Sequence, residues 1–497
     1  PGVSELSEPP SVDRPDANSQ ADRLIALVIE AGTELFTDEQ GLAVARFKVQ
    51  DHRETWPVSS DPFKTWMAGE FYRVEQKAVR SESLGNARLV LDSQARYGGK
   101  QRPLQNRVAL DEGAIWIDMG TPTWTAIRVD ARGWERVDMP PPLFRRHSHQ
   151  IALPEPEGGG DLNELFEYLN ISDPVHRLLV RVYLVTCFIP DIPHPILNLH
   201  GCQGSAKTTA GRMLRSLVDP SILDILGTCV AKDLPQILAH HWMPVFDNVT
   251  QISQPMSDML CRAATGDGIT KRKHYSDDED VIYRYRRCVG ITGINVVAQR
   301  PDLLERSLFI HLDRIAAHVR KPETTLLAEF RAARPRLLGA ALTILSKAMA
   351  IQPSLNLDEL PRMADFGLWG YAIAEASGDG GGEFLRAYRE NGKFGTEHAV
   401  EESPVAQALI HFVKQHGPWT GTPTELLCKL DWVAGTMKID TRGSNWPKAA
   451  NALSSELTVL SAALSERGVE YANNRSGGVR RITLNFVRRD DGYDDAV

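Results

Sequence analysis

Apolar positions Leu24, Ile25, Leu27, Val28 and Leu35 follow helical spacing, so a helix is predicted over Ala21 to Leu35. Phe63, Trp66 and Met67 share a face and predict a second helix over Asp61 to Phe71. From Asn106 to Val129 the pattern changes. RVALDEGAIWIDMG and TWTAIRVD alternate around Gly and Asp-Glu punctuation, which predicts short antiparallel strands. Helices are expected around Leu162 to Tyr168 and from Pro174 to Cys187, the latter capped by Asp173. The apolar run Pro195 to His200 reads as a strand ending at Gly201. Strand-like runs Trp242 to Phe246 and Cys288 to Thr292 are separated by a helical pattern over Ser253 to Cys261, the rhythm of a mostly parallel α/β sheet. Residues 323–378 are helical in pattern and break at the glycines between Gly378 and Gly382.

From Pro404 onward, helices over Val405 to Gln415, Pro423 to Leu430 and Trp446 to Leu464 precede a Gly-containing wing over 474–484 and a final strand over 481–487. This order has the logic of a winged helix. The fold class is therefore multidomain α/β, with no internal repeat. Residues 1–20 form a polar, Pro-rich tail expected to be disordered, and 21–150 form an α+β domain. Pro and Gly crowd LPEPEGGG, 153–160, so 151–160 is expected to be a hinge. An α/β core with preceding helices follows over 161–320, then a helical subdomain over 321–400, the winged-helix-like domain over 401–489 and an acidic tail over 490–497.

Composition narrows the classes. With 42% hydrophobic and 24% charged residues among 497, wholesale disorder is excluded. A formal charge of −8 excludes a uniformly basic nucleic-acid coat but not a local basic site. Six cysteines without CxxC spacing argue against a zinc site or disulfide framework and fit a reducing cytoplasm. No apolar run reaches the roughly 18 residues of a membrane span, and the acidic, Pro-rich start does not read as a signal peptide.

The sharpest chemical signal follows the Pro195 to His200 strand: Gly201-Cys-Gln-Gly204-Ser205-Ala206-Lys207-Thr208-Thr209. A Gly-rich loop between strand and helix, closed by Lys-Thr, is the Walker A arrangement, with Ala206 where glycine is usual. Backbone amides 203–208 would face phosphates at a helix N-terminus. Lys207 would reach the β and γ phosphates and Thr208 would hold Mg²⁺. Alanine is tolerable there if its backbone is already helical, which needs no left-handed angle. A plain Gly-rich turn is the competing reading. Asp247, ending the apolar run at 242–246, is a Walker B candidate for the magnesium. Asn248 follows where a water-polarising glutamate is common, and asparagine is no useful proton acceptor. Asp258 and Asp267 are alternative acids, or simply surface acids. Asn295 is a candidate contact to the γ-phosphate or attacking water. Arg306 is a candidate charge stabiliser from a neighbouring subunit, against a surface ion pair with Glu305 or Asp302.

KRKHYSDDEDVIYRYRR, 271–287, predicts two strands joined by an acidic turn. Lys271, Arg272, Lys273, His274 and Arg284 are candidate contacts to a phosphate backbone, although the four acids cancel much of their charge.

These features together resemble a known group. Residues 195–316 look like the AAA+ core of superfamily 3 helicases, especially helicase and primase-helicase proteins of phages and integrated mobile elements. Several blocks resemble proteins called only ATP-binding proteins in bacterial and phage genomes: HRETW at 52–56, GSAKT at 204–208, FDN at 246–248, SDMLCRAATGDG at 257–268, RPDLLER at 300–306 and RMADF at 362–366. The resemblance spans about 22–490. It implies an ATP- and Mg²⁺-dependent motor in the bacterial cytoplasm, a ring and most simply a hexamer, that translocates on single-stranded or forked DNA during replication of a mobile element. Lys207, Thr208, Asp247, Asn295 and Arg306 match nucleotide-site positions, and Lys273 and His274 fall near the pair expected on a DNA-contacting hairpin. Ala206 and Asn248 are departures, the second bearing on how water is activated. Primer synthesis would fall to a separate primase or polymerase.

The C-terminal wing, with Arg480 and Arg481, is a candidate duplex-DNA contact, against a protein-docking role. In the N-terminal domain Trp56, Trp66, Tyr72, Trp116, Trp124 and Trp134 read as core anchors rather than stacking platforms, and Asp111, Asp118 and Asp130 make no convincing metal triad. Besides a helicase, an ATP-dependent loading switch and a DNA scaffold with weak hydrolysis remain open.

Overall fold

The computed structural model describes residues 19–272, 280–283, 286–294, 300–443, 446–476 and 479–486. Lys273, His274, Arg284, Asn295, the tip of the wing and the predicted tails lie outside them, except Ser19 and Gln20, which cap and begin the first helix. Two compact units divide the chain: residues 1–128 with 135–152, and residues 129–134 with 153–497.

In the first unit, α1 (Gln20–Glu30) stops short of the predicted helix end, and Leu35 instead lies in β1 (Glu34–Thr37). The Ala31-Gly32 pair breaks the helical run, Gly32 taking a φ of +68°. β2 (Ala43–Val49), β3 (His52–Pro57), α2 (Asp61–Glu75), α3 (Ser81–Tyr97) and β4 (Lys100–Gln101) follow. Helix α3 and strands β2 and β3 escaped the sequence reading. The sheet order is β3-β2-β1-β4. Ala43, Ala45 and Phe47 of β2 bury against Leu24, Phe63, Met67 and Leu91 of the three helices. The alternate residues of β2, Val44, Arg46 and Lys48, therefore lie on the other face. A second sheet, β5 (Val108–Asp111), β6 (Ala114–Asp118), β7 (Ala126–Asp130) and β8 (Gly133–Val137), matches the predicted strands and adds one; its 129–134 tip groups with the second unit. Trp116 and Trp124 are buried as expected, whereas Tyr72 is 58% exposed. Asp118 is buried and accepts from Arg146 Nε at 2.9 Å, while the Arg146 guanidinium lies over the Trp124 ring at 4.0 Å.

The second unit is built on a parallel sheet. Helix α4 (Pro174–Thr186) starts where Asp173 accepts from the Val175 amide at 2.8 Å, with Pro174 in the first turn. β9 (Ile196–His200), α5 (Lys207–Val218), α6 (Leu234–His240), β10 (Val245–Phe246), α7 (Gln254–Thr265), the hairpin β11 (Ile269–Arg272) and β12 (Asp280–Tyr283), β13 (Gly290–Gly293), α8 (Pro301–Leu304) and β14 (Ser307–His311) follow. All four strands of the order β10-β13-β9-β14 run parallel. The β11 and β12 pairing, Lys271 opposite Val281 and Arg272 opposite Asp280, agrees with the predicted charged hairpin.

Both outer strands of this sheet are closed. Asn391 spans the free edge of β14, accepting from the Phe309 amide at 2.9 Å and donating to the Phe309 carbonyl at 2.6 Å, and His176 Nδ1 accepts from the His311 amide at 3.3 Å. At the other side Leu226 donates to the Val245 carbonyl and accepts from the Asp247 amide, each at 2.8 Å. Backbone groups that would otherwise be exposed on edge strands are thus satisfied.

Helices α9 (Glu323–Ile351), α10 (Ala364–Ser377) and α11 (Gly381–Glu402) pack on this core. The predicted break at Gly378 holds, but Gly381 and Gly382 start the next helix. α9 is long and apolar enough to cross a membrane by composition, yet half of its most apolar window is buried within the unit.

Within the expected hinge at 151–160, residues 157–160 pack on α9 as a strap. Glu157 donates its amide to the Pro335 carbonyl of α9 at 3.0 Å. A β-carbon on Gly339 would lie 1.8 Å from the Glu157 carbonyl oxygen, and one on Gly160 would lie 2.3 Å from the Arg336 oxygen. Gly160 and Gly339 serve close backbone approach, whereas Gly158 and Gly159 have open space around them and Gly159 takes a φ of +79°.

Next come α12 (Pro404–His416), β15 (Trp419–Gly421), α13 (Pro423–Thr436), α14 (Ala450–Glu466), β16 (Val469–Ser476) and β17 (Val479–Phe486). Leu409, Phe412, Leu430, Leu457, Ile482 and Leu484 join the helices to a three-stranded sheet of order β15-β17-β16. The sequence reading found these three helices but ended the second six residues early, began the third four residues early and missed β15.

Candidate functional site

The loop between β9 and α5 leaves the C-terminal edge of the parallel sheet, where ligands of open α/β sheets bind. Its start is fixed by Gly201, whose φ is +145° and where a β-carbon would lie 2.3 Å from the Leu312 carbonyl oxygen. The segment after β14 holds it further: the Leu312 amide donates to His200 O at 2.9 Å and the Ile315 amide to Gly204 O at 3.2 Å. Asn170 donates its side-chain amide to the carbonyls of both Ser205 and Asp313.

Inside the loop, Lys207 Nζ donates to Gly201 O at 2.7 Å, Cys202 O at 2.8 Å and Ser205 Oγ at 3.2 Å. All three ammonium donors are thereby directed into one turn of backbone. Partial burial lowers the Lys207 pKa, opposed by Cys202 and Asp247.

Ala206 does not have the helical backbone the sequence reading required. It sits at φ 63°, ψ 29°, in the left-handed region, and α5 begins one residue later. The turn from loop to helix demands that conformation, and an L-residue there costs about 1–2 kcal/mol. Ala206→Gly should therefore raise the unfolding free energy by about 1 kcal/mol. A melting curve with an unchanged or lower midpoint would refute this.

Thr208 Oγ1 donates to Asp247 Oδ1 at 2.8 Å, and Thr292 Oγ1 donates to the same oxygen at 2.5 Å. Thr292 in turn accepts from the Asn248 amide at 3.0 Å. Two elements, α5 and β13, thus converge on one carboxylate at the end of β10. Thr292 escaped the sequence reading, although a lone hydroxyl in the apolar strand 288–292 was the available signal; attention there went to Asn295. Close packing brings α5 to the strands, since a β-carbon on Gly211 would lie 3.0 Å from Val245 Cγ1.

Asn248 adjoins Asp247 with an exposed side chain and a φ of 51°. Asp258 and Asp267 are exposed, Asp267 accepting from Thr265 at 3.0 Å. Arg306 is not brought to this cluster. It precedes β14 and accepts through its backbone carbonyl from the Ile196 amide, at the opposite, N-terminal end of the sheet. Its guanidinium donates to the Asp302 carbonyl at 2.7 Å and pairs with the Asp302 carboxylate at 3.4 Å. Arg320, also unread in the sequence, lies beside the loop: a β-carbon on Gly204 would be 3.2 Å from its Nη2.

In the hairpin, Lys271 and Arg272 are on β11. On β17, Arg480 and Arg481 are exposed, and Arg480 pairs in register with Arg475 of β16. Arg475 joins the pair as a third exposed cation.

Residues 162–391 match the family described as actinomycete integrative conjugative element replication protein, and residues 405–491 match its RepA C-terminal domain. Over these two regions the chain is similar to this family. It is a replication protein of a mobile element, as the sequence resemblance implied at this coarser level. Among curated proteins none matches. Two solved apo structures of the NrS-1 C-terminal region are similar at 9% identity, each covering 95% of this chain and 100% of that one, with TM-scores of 0.40 and 0.39. Likenesses this loose carry no argument.

Proposed function

We propose that this replication protein is an ATP-dependent DNA translocase or helicase whose motor is an AAA+ core of the superfamily 3 kind, with a winged-helix C-terminal domain. The observation that carries the reading is the convergence of Thr208 and Thr292 on Asp247 beside the Lys207 loop. A threonine hydroxyl and a carboxylate are hard oxygen donors of the kind Mg²⁺ takes when phosphates and waters complete its shell. Among the described residues no group of three or more His, Cys, Asp or Glu is arranged to hold a metal without such help. Thr208 and Asp247 would hold Mg²⁺. Lys207, with Gly201, Gly204, Ser205, Ala206, Thr208 and Thr209, would hold the ATP phosphates. The bound ATP supplies the phosphoryl group that drives the motor.

Arg306 lies at the sheet end remote from its own subunit's loop, which suits a contact to a neighbouring copy in a ring, a hexamer in this proposal. The DNA-facing cations are Lys271, Arg272, Lys273, His274, Arg284, Arg480 and Arg481. Nucleotide hydrolysis measured with and without single-stranded DNA, beside strand displacement on a forked duplex, tests the whole reading. Hydrolysis stimulated by DNA together with displacement supports it. Absence of nucleotide binding by the wild-type protein ends it.

Asn248 favours a second reading, a nucleotide switch with slow hydrolysis, because its amide group cannot take a proton from water. Asn248→Glu distinguishes the two. If the missing acid limits turnover, the variant should hydrolyse ATP about 10²-fold faster, whereas an unchanged or lower rate shows that another group activates the water.

A further inference from the structure

The first unit lies outside both family matches, and its sheet has one face without helices. On that face Arg46 of β2 stands directly opposite Glu34 of β1 in register. Lys48, two residues further on, stands opposite Arg53 of β3. Three guanidinium groups converge on the single Glu34 carboxylate: Arg53 at 2.8 Å, Arg102 at 2.8 Å and Arg46 at 3.8 Å. One negative charge is thus shared by three positive ones, with exposed Lys48 beside them.

Arg46 bears the strain of this arrangement. Its side chain is only 17% exposed, and its pKa is lowered first by burial and then, against Glu34, by Arg53 and Arg102. A buried charge with like neighbours is stabilised by any further anion it can reach. Arg53 and Arg102 have side chains about one-third exposed, so the cluster is open to solvent. A shallow cleft joins Arg46 and Arg53 to Thr55 and Trp124. Asp138 lines the cleft too, but it pairs with Arg136 at 3.4 Å. Trp124 is buried, so the cluster offers cations and no stacking face. The residues run across neighbouring strands about 4.8 Å apart, a row that suits successive charges of a polyanion better than one small ion.

We propose that Arg46, Lys48, Arg53 and Arg102 form a second nucleic-acid site that grips the phosphate backbone of single-stranded DNA without reading its bases. The polyanion is taken to be DNA because the chain is a replication protein. The site is independent of the motor reading, so failure of either leaves the other standing.

Two variants of the full-length protein should move binding in opposite directions. Arg53→Ala with Arg102→Ala removes two phosphate contacts. Affinity for a labelled single strand should fall at least tenfold, roughly, and the slope of log affinity against log salt should flatten by about 1.4. Glu34→Gln removes the carboxylate that competes with phosphate, and affinity should rise roughly two- to fivefold. Fluorescence anisotropy across a salt series, beside melting curves, reads both. If the network only holds the sheet together, both variants melt earlier while affinity and slope stay at wild type, and the proposal is overturned. A fall in affinity with Glu34→Gln overturns it as well.

Discussion

Lys207→Ala should lower ATP hydrolysis by about 10²- to 10³-fold. The ammonium is the cation of its loop, and its three donors are aimed at the Gly201 and Cys202 carbonyls and the Ser205 hydroxyl. Those oxygens mark where the lysine waits; exchanging some of them for phosphate oxygens costs little in hydrogen bonds, because each lost partner is replaced by a charged one. Removing the side chain leaves developing phosphate charge without this partner and also leaves the loop without its internal tie. Asp247→Asn makes a useful companion, because it keeps the size and one acceptor oxygen but replaces the other with an NH2 donor and would weaken the proposed metal site. It should retain nucleotide binding and lose magnesium-dependent turnover. Purified Lys207→Ala protein with wild-type turnover would refute the assignment of this loop.

Gly339→Ala should destabilise the second unit by about 3 kcal/mol or more. Its β-carbon would fall 1.8 Å from a backbone oxygen of Glu157, and no rotamer change can relieve a clash with main chain. Either α9 moves off the strap or the strap loses its hydrogen bond to Pro335. Gly69→Ala provides the contrast, for it lies inside α2 with open space around it. That change should stabilise by about 0.5–1 kcal/mol through helix propensity. Thermal melts of both variants check the pair, and equal midpoints would show that the strap yields freely.

Legibility from sequence followed the reach of the signals. The strand, loop and helix around Lys207 were readable because their pattern is local: an apolar run, a Gly-rich turn and a helix start within about twenty residues. Asp247 was readable only as the end of an apolar run, and its relation to Thr208 is a tertiary fact. The role of Thr292 was hidden, since a lone hydroxyl in an apolar strand marks a position but not its partner until the neighbouring strand is known. Ala206 was misread because its backbone angle is imposed by the turn rather than by its own preference. Within 151–160 the close approach of Glu157 and Gly160 to α9 was not legible, since glycine permits both bending and close approach, and only the partner helix decides between them. In the first unit α3 went unseen, as its buried positions Leu84, Ala87, Leu91 and Ala95 include two alanines and make a faint apolar stripe.

The closed edges of the parallel sheet bear on how copies of this chain can meet. Strand addition needs a row of unspent amides and carbonyls, and on β14 and β10 those groups are taken by Asn391, His176 and Leu226. A second copy would therefore find fewer open ladder groups along the described edges of this sheet. If the protein assembles into the proposed ring, subunits beside this sheet would meet mainly through side-chain surfaces, which can slide, rotate and separate. A continuous intersubunit sheet would instead lock them in one register.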